Sequence, residues 1–221
     1  GPLYFIYKIV TTINTCQKLQ EAFPDYHFVP VYWMASEDHD FEEISHFHLF
    51  GKDYVWHTDQ KGAVGHFKTD SISEVLEAMP EKIEIFEKAY REQPNLAAAV
   101  RYYVNELFGK SGLVVLDADD AALKASLRPV MADDLQKHTA KQLTDQCSES
   151  LDKLGYKSQV YPREINFFYL DDQLRERIEK EGDTYQVLNT DLSFSEEEMM
   201  QEVEAHPEKF SPNVILRPLY Q

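Results

Sequence analysis

The chain has 221 residues and a formal net charge of −17, from 22 Lys and Arg against 39 Asp and Glu. This acidity argues against bulk binding of DNA or RNA, whose affinity depends on attraction to phosphates, while 43% hydrophobic residues argue against disorder. No apolar run approaches the roughly 18–20 residues that a membrane helix needs. The two cysteines, Cys16 and Cys147, provide no disulfide framework, which favours a reducing, cytoplasmic location.

The first half of the chain alternates between helical and strand patterns. Leu3, Ile6, Val10 and Ile13 recur at helical spacing and predict a helix with one apolar face. A buried strand is predicted at 28–34, a β-hairpin at 46–57, a short strand at 64–68, and helices at 73–90 and 95–108.

The second half begins with an apolar strand at 113–116, of the kind found in parallel sheets. A long helix follows at 128–154, in which Met131, Leu135, Leu143, Cys147 and Leu151 form one apolar line, so Cys147 is predicted to be a small core residue. Further predictions are strands at 165–170, 174–178 and 184–188, a helix capped by Ser195 with Glu198, and a last buried strand at 213–216.

Three parallel strands near residues 28, 113 and 213 predict an α/β fold with a Rossmann-like parallel sheet. The segments at about 46–68 and about 159–190 are interpreted as β-hairpin insertions in that core.

The strongest candidate site directly follows the first predicted strand. Ser36, Glu37, Asp38, His39 and Asp40 place three carboxylates around one imidazole. A carboxylate can orient a histidine and raise its pKa, which suits a general acid or base. The same side chains can also bind a divalent metal, or the loop can simply be acidic and solvated, with Asp40 capping a short helix.

Histidines indicate a metal site only weakly. Five of the eight lie between His39 and His66, but His46 and His48 fall on one face of an alternating strand. No His-x3-His helix or Cys-x2-Cys pair accompanies them, so no metal ligand is assigned.

Other polar residues at element boundaries are candidate ligand-binding residues. A glycine entering a helix can bring backbone N–H groups to an anion, and arginine suits phosphate or carboxylate recognition. Asp117 can contact a ribose hydroxyl or a cation, or can equally cap a turn. The chain contains neither a Gly-x-Gly-x-x-Gly fingerprint nor a phosphate-binding lysine loop. The full set of candidates comprises Gly1, Pro2, Tyr4, Lys8, Ser36, Asp40, Asp117, Asp119, Arg163, Asn166, Asn213 and Arg217.

Five segments together resemble the bacillithiol biosynthesis cysteine-adding enzyme family, and the resemblance runs in order through the whole chain. They are Gly1–Lys8, Val31–Ile44, Leu113–Asp120, Tyr161–Asn166 and Phe210–Leu219.

The resemblance implies a Rossmann-type core like that of nucleotidyltransferases and class I aminoacyl-tRNA synthetases, with connecting-peptide insertions. It implies a ligase that joins cysteine to glucosaminyl-malate, the last step in making a cytosolic thiol, with ATP as cofactor and Mg²⁺ as its companion ion. Family members are longer, so the chain is expected to be a partial ligase core over 1–221. An N-terminal strand and a C-terminal coiled coil, through which homodimers can form, are then absent, and the fragment is expected to be inactive alone.

Within that reaction, His39, Asp38 and Glu37 are the expected catalytic residues. His39 can donate to developing negative charge, and Glu37, Asp38 or the Asp38–His39 pair can accept the proton of the incoming amine. Gly1, Pro2, Lys8 and Arg217 are candidates for the phosphates. Two alternatives stay open: a metal-dependent hydrolase using Glu37–Asp40, and a non-catalytic nucleotide-binding module.

Overall fold

The computed structural model describes residues 4–221 and is mixed α/β with a parallel sheet. The chain divides after Ala118 into two compact units, here called the first unit and the second unit.

The first unit is built on a pair of parallel strands. Val31 aligns with Val114 and Met34 with Asp117, so both strands end at the same edge. Two helices contribute side chains to a small apolar core that includes Ile9, Ile13 and Val104. The elements of this unit are α1 (Tyr4–Ala22), β1 (Val31–Met34), β2 (His46–Leu49), β3 (Lys52–Val55), α2 (Ser73–Ala78), α3 (Glu84–Glu92), α4 (Leu96–Phe108) and β4 (Val114–Asp117).

The apolar face predicted for the first helix was partly wrong. Ile9 and Ile13 are buried, whereas Val10 is exposed, so the buried face is displaced from the predicted one. Leu3, which completed the predicted pattern, lies outside the described residues.

The predicted hairpin at 46–57 is confirmed as β2 and β3, which pair antiparallel. Phe50 and Gly51 connect them, and both have positive φ angles, 50° and 79°. Positive φ at both central residues is what a type I′ turn requires, and glycine adopts it without steric cost.

Two other predictions in this unit were wrong in detail. The segment predicted as a strand at 64–68 contains a 3₁₀ turn over Val64–His66, and the N–H groups of Val64 and Gly65 bond to carbonyls of the loop after β1. The helix predicted at 73–90 is two helices, α2 and α3, separated by a segment that contains Pro80. Proline cannot donate the helical hydrogen bond, which accounts for the break.

The second unit contains a five-stranded antiparallel sheet in the order β8-β7-β6-β5-β9. Its core includes Leu135 from one helix, Met199 from another, and Phe167, Tyr185 and Phe210 from the strands. The elements are α5 (Ala121–Ala125), α6 (Arg128–Lys137), α7 (Thr139–Lys153), β5 (Phe167–Asp171), β6 (Leu174–Glu181), β7 (Thr184–Val187), β8 (Ser193–Ser195), α8 (Glu196–Ala205), β9 (Phe210–Pro212) and α9 (Arg217–Tyr220).

Several predictions for this unit are confirmed. The strands predicted at 165–170, 174–178 and 184–188 correspond to β5, β6 and β7. Ser195 and Glu198 form the predicted capping box, in which each side chain bonds to the backbone N–H of the other residue.

The prediction of a strand at 213–216 was wrong, and so was the prediction that it forms a third parallel strand. Phe210–Pro212 forms β9, which pairs antiparallel with β5. Asn213 ends the strand because its side-chain oxygen accepts the N–H of Ile215 at 2.8 Å and begins a turn. Leu216 is buried in that turn, which explains the apolar pattern without a strand.

The long helix predicted at 128–154 is interrupted at His138, whose φ is 54°. The His138 ring Nδ1 lies 2.8 Å from the carbonyl oxygen of Asp134 and 2.9 Å from that of Glu164, which holds this left-handed conformation. The break separates the buried Leu135 of α6 from the exposed Leu143 of α7. Cys147 is exposed as well, so its prediction as a core residue was wrong.

Within residues 4–221, the model contains no helix that combines the length and apolar character needed to cross a membrane.

Candidate functional site

The candidate site lies in the first unit, where β1 and β4 end side by side. The segment Ala35–Asp40, here called the site loop, leaves β1 at this edge, and Asp117 is the last residue of β4. The hydroxyl of Ser36 donates a hydrogen bond to Asp117 Oδ1. The two strand ends are thereby joined at the edge where open α/β sheets place ligands.

Asp38 organises the rest of the site loop. Its Oδ1 accepts the backbone N–H of His39 at 2.8 Å and that of Asp40 at 3.4 Å, which shapes a tight turn. The same oxygen lies 3.5 Å from His39 Nδ1, and the two side chains are 43% and 55% exposed. His39 is therefore an accessible imidazole beside a carboxylate, an arrangement suited to proton transfer.

Glu37 is buried, unlike the ionisable residues that follow it in the loop. It is only 8% exposed, whereas Asp40 is exposed. No helix follows Asp40, so the alternative in which it caps a short helix is wrong.

A distant turn holds the site loop in place. The N–H of Val64 donates to the carbonyl of Asp38 at 2.7 Å, and the N–H of Gly65 donates to that of Ser36 at 2.8 Å. A Cβ atom on Gly65 would approach the Ser36 Cβ to 2.6 Å and its carbonyl oxygen to 2.7 Å. Only glycine permits this close approach of the two backbones.

Sequence reasoning did not find Arg101. Its guanidinium Nη2 lies 3.6 Å from Asp117 Oδ2, so Asp117 interacts with both Ser36 and Arg101. The available signal was a lone cation within the apolar run Leu96–Val104 of α4.

Tyr4 and Lys8 lie together at the beginning of α1. The Lys8 ammonium stands 4.9 Å from the centre of the Tyr4 ring, and both side chains are exposed. Gly1 and Pro2, the other members of this predicted anion site, lie outside the described residues.

Asp119 lies in the second unit, where it pairs with Lys124. Lys124 is fully buried and also donates to the carbonyl oxygen of Glu208 at 2.7 Å. This contact ties the beginning of the unit to the segment before β9 and gives Asp119 a structural partner.

Three more of the predicted ligand residues share a hydrogen-bond network in the second unit. Asn166 is buried; its backbone N–H and side-chain amide donate to the two carboxylate oxygens of Asp134 at 2.5 and 3.1 Å. Its side-chain oxygen accepts the N–H of Arg163 at 3.1 Å and the amide of Asn213 at 3.0 Å. These contacts stabilise the fold locally, and roles in ligand binding stay predictions.

Arg217, the last of the predicted ligand residues, is half-buried at the beginning of α9. Its backbone N–H donates to the carbonyl oxygen of Asn213 at 2.9 Å.

Burial raises the pKa of Asp134 above its usual value of 3.8, although the hydrogen bonds from Asn166 oppose this rise. The free energy that the network contributes therefore depends on pH.

No group of three or more His, Cys, Asp or Glu side chains in the described part of the chain is arranged to hold a metal ion. His48 pairs instead with Asp53, at 2.7 Å across the hairpin.

Comparison with known families gives a match over residues 1–221 to the model described as "Bacillithiol biosynthesis BshC, N-terminal Rossmann-like domain". The chain belongs to the BshC family. The resemblance found in the sequence is thus confirmed, as is the prediction of a Rossmann-like α/β domain. The closer likeness to nucleotidyltransferases and the interpretation of the hairpins as insertions stay predictions.

Curated BshC proteins resemble the chain over its whole length. A protein of Cytophaga hutchinsonii is 49% identical over 221 residues, and one of Flavobacterium psychrophilum is 50% identical over 234. Both are named "Putative cysteine ligase BshC". The chain covers 42% and 43% of their lengths, so it spans less than half of these relatives.

Proposed function

We propose that this chain forms part of a ligase that joins cysteine to glucosaminyl-malate, in the last step of bacillithiol synthesis, with the site loop as part of its active site. The observation that carries the proposal is the joining of the β1 and β4 ends by Ser36 and Asp117, in a loop that reaches His39 three residues after Ser36. The name "cysteine ligase" of relatives matched over the whole chain supports this class of reaction.

The proposed reaction forms a bond between the amine nitrogen of the amino sugar and the carboxyl carbon of cysteine. The activating group leaves that carbon, and the nitrogen loses a proton. His39 accepts this proton, because it is an exposed imidazole and its Nδ1 lies 3.5 Å from Asp38 Oδ1, which orients the ring.

ATP would supply the activation of the cysteine carboxyl group. Of the residues predicted to hold its phosphates, Lys8 lies in the described part of the first unit, and Arg217 lies in the second unit. An exposed ammonium at the beginning of α1 has the charge that phosphate requires. Mg²⁺ would bind to the ATP phosphates and neutralise part of their charge.

The decisive experiment uses the complete polypeptide with cysteine, glucosaminyl-malate and ATP-Mg²⁺, with the joined thiol detected by mass spectrometry. The nucleotide product identifies the activation, since AMP indicates an adenylate and ADP an acyl phosphate. Absence of product under all conditions would overturn the proposed function.

The role of His39 is tested by His39→Ala in the same assay. Loss of a general base lowers kcat by about 10²- to 10⁴-fold. His48→Ala is the matched control, because His48 is also exposed and also pairs with a carboxylate, that of Asp53. Equal activity in the two variants would remove His39 from the chemistry.

A further inference from the structure

The first unit contains a cavity of about 260 Å³ with one wall formed by Ser36 of the site loop. Its other walls come from α1, β1, the turn at 64–65, α3 and α4. Aromatic side chains supply much of this surface, among them Phe5, Tyr32, Trp56 and Tyr103.

The lining of this cavity is uncharged. Among the described residues that line it there is no Asp, Glu, Lys, Arg or His. Burial raises the pKa of Tyr32, Tyr90 and Tyr103, so their hydroxyls are neutral groups that can donate and accept hydrogen bonds. A group that enters the cavity must therefore be uncharged over most of its surface.

Acidic residues stand next to the Ser36 wall. Asp117 accepts the Ser36 hydroxyl, and Glu37 and Asp38 follow Ser36 in the chain, while Arg101 offsets part of this charge. Such surroundings attract an amine and repel phosphate groups. A nucleotide base in this cavity would bring its phosphates towards these carboxylates, which disfavours it as the occupant.

We infer that this cavity binds the pyranose ring of the amino sugar, with its faces against the aromatic side chains and its amine directed to the Ser36 wall. The inference rests on the proposed function, because it takes the acceptor substrate from it. The volume lies just below the roughly 300–1,000 Å³ of pockets that enclose a whole drug-sized ligand, so one ring fits and the rest of the substrate extends outside.

A substitution that fills the cavity tests this inference in the complete polypeptide. Ala97 lines the cavity and is buried on α4, so Ala97→Leu places three additional carbons in it. The expected result is a rise of about tenfold or more in the Kd and KM for glucosaminyl-malate, because the ring must displace the new side chain. The Kd for ATP-Mg²⁺ is expected to stay the same.

Ala98→Leu is the matched control, since Ala98 is on the same helix and lines a different groove, together with Arg101. A second variant, Tyr103→Phe, retains the ring and its packing and removes one hydroxyl. This variant is expected to raise the Kd for glucosaminyl-malate by about three- to tenfold, because the sugar loses a hydrogen bond to the Tyr103 hydroxyl. It keeps the inference testable if Ala97→Leu does not fold.

The outcomes separate the inference from the proposed function. Product formation with an unchanged KM for glucosaminyl-malate in both cavity variants would overturn the inference and leave the proposed function standing. If the cavity variants bind ATP-Mg²⁺ more weakly and bind the amino sugar as before, the cavity holds the purine, and the inference is likewise overturned. If the unaltered polypeptide forms no product, the proposed function fails, and calorimetry with free glucosamine still tests the cavity by the same comparison.

Discussion

The two units use polar side chains in opposite ways. In the first unit, the site loop leaves Asp38 and His39 about half exposed, beside an uncharged cavity. In the second unit, Lys124 and Asp134 are completely or almost completely buried, and their polar groups bond to other parts of the same unit. The position of a polar residue at an element boundary is thus a weak guide to function, whereas its exposure distinguishes a group that can meet a ligand from one that stabilises the fold.

The largest effect that this contrast predicts is on stability, at Lys124. Lys124→Met retains most of the side-chain volume but leaves Asp119 without its buried ammonium partner. Removal of one member of a buried ion pair costs about 3–5 kcal/mol in the free energy of unfolding. Urea denaturation of the complete polypeptide measures this loss.

Lys88→Met is the corresponding change at an exposed pair in the first unit, where Lys88 Nζ lies 2.7 Å from Glu84 Oε1 on α3. The unfolding midpoint of this variant is expected to stay close to that of the unaltered protein. Similar losses in the two lysine variants would contradict the distinction between buried and exposed polar groups.

A smaller effect is expected where the turn at 64–65 supports the site loop. Gly65→Ala forces the backbones apart at Ser36, and such overpacking costs about 1–3 kcal/mol. Activity is expected to fall together with stability, because Ser36 and the residues after it are displaced. Both are measured on the same preparation, by urea denaturation and by the ligase assay.

Gly109→Ala provides the comparison for this change. The atoms nearest to a Cβ atom there belong to the side-chain amide of Asn105, whose oxygen would lie at 2.8 Å, and that flexible group can move aside. Gly109 has a helical φ of −57°, so alanine fits its backbone without strain. An equal loss of activity in the two variants would show that the turn does not position the site loop.

The smallest expected effect is the pH dependence of the Asp134 network. Burial raises the pKa of Asp134 in the folded state, so the folded protein binds its proton more tightly than the unfolded chain does. The contribution of Asp134 to the unfolding free energy is therefore greatest at low pH and falls as the pH rises above 3.8, through the folded-state pKa.

Asp134→Asn abolishes this titration and weakens one hydrogen bond, at a cost of about 1 kcal/mol. The difference in unfolding free energy between the two proteins should be larger at acidic than at neutral pH. A difference that is constant across this range, in urea denaturation at several pH values, would show that burial of Asp134 has no energetic consequence.

Local features of the fold could be predicted from the sequence because short stretches determine them. The hairpin at 46–55 follows from alternation around a glycine turn, and the capping box follows from Ser195 and Glu198. The break at His138 could not be predicted, because carbonyl groups of Asp134 and Glu164 hold its left-handed conformation, and Glu164 is distant in the chain. The turn after Asn213 was not predicted, because Leu216 is buried and belongs to an apolar run that is typical of a strand.

The candidate site likewise has a part that the local sequence predicts and a part that depends on tertiary contacts. The site loop could be placed from the end of β1 and its run of ionisable residues. Arg101, Gly65 and the aromatic cavity belong to the site through tertiary contacts between segments that are far apart in sequence, so no local pattern showed that they meet the site loop.

The two thiols of the protein differ in accessibility, and α7, which begins after the break at His138, carries the more exposed one. Because α7 presents Cys147 to solvent, a thiol-directed dye can reach it in the folded second unit, whereas Cys16 on α1 is partly covered. Each unit contains one cysteine, and the two can therefore be labelled in turn. Brief labelling places a fluorophore mainly on Cys147 of the second unit. Later reaction of Cys16 with a second dye then measures unfolding of the first unit.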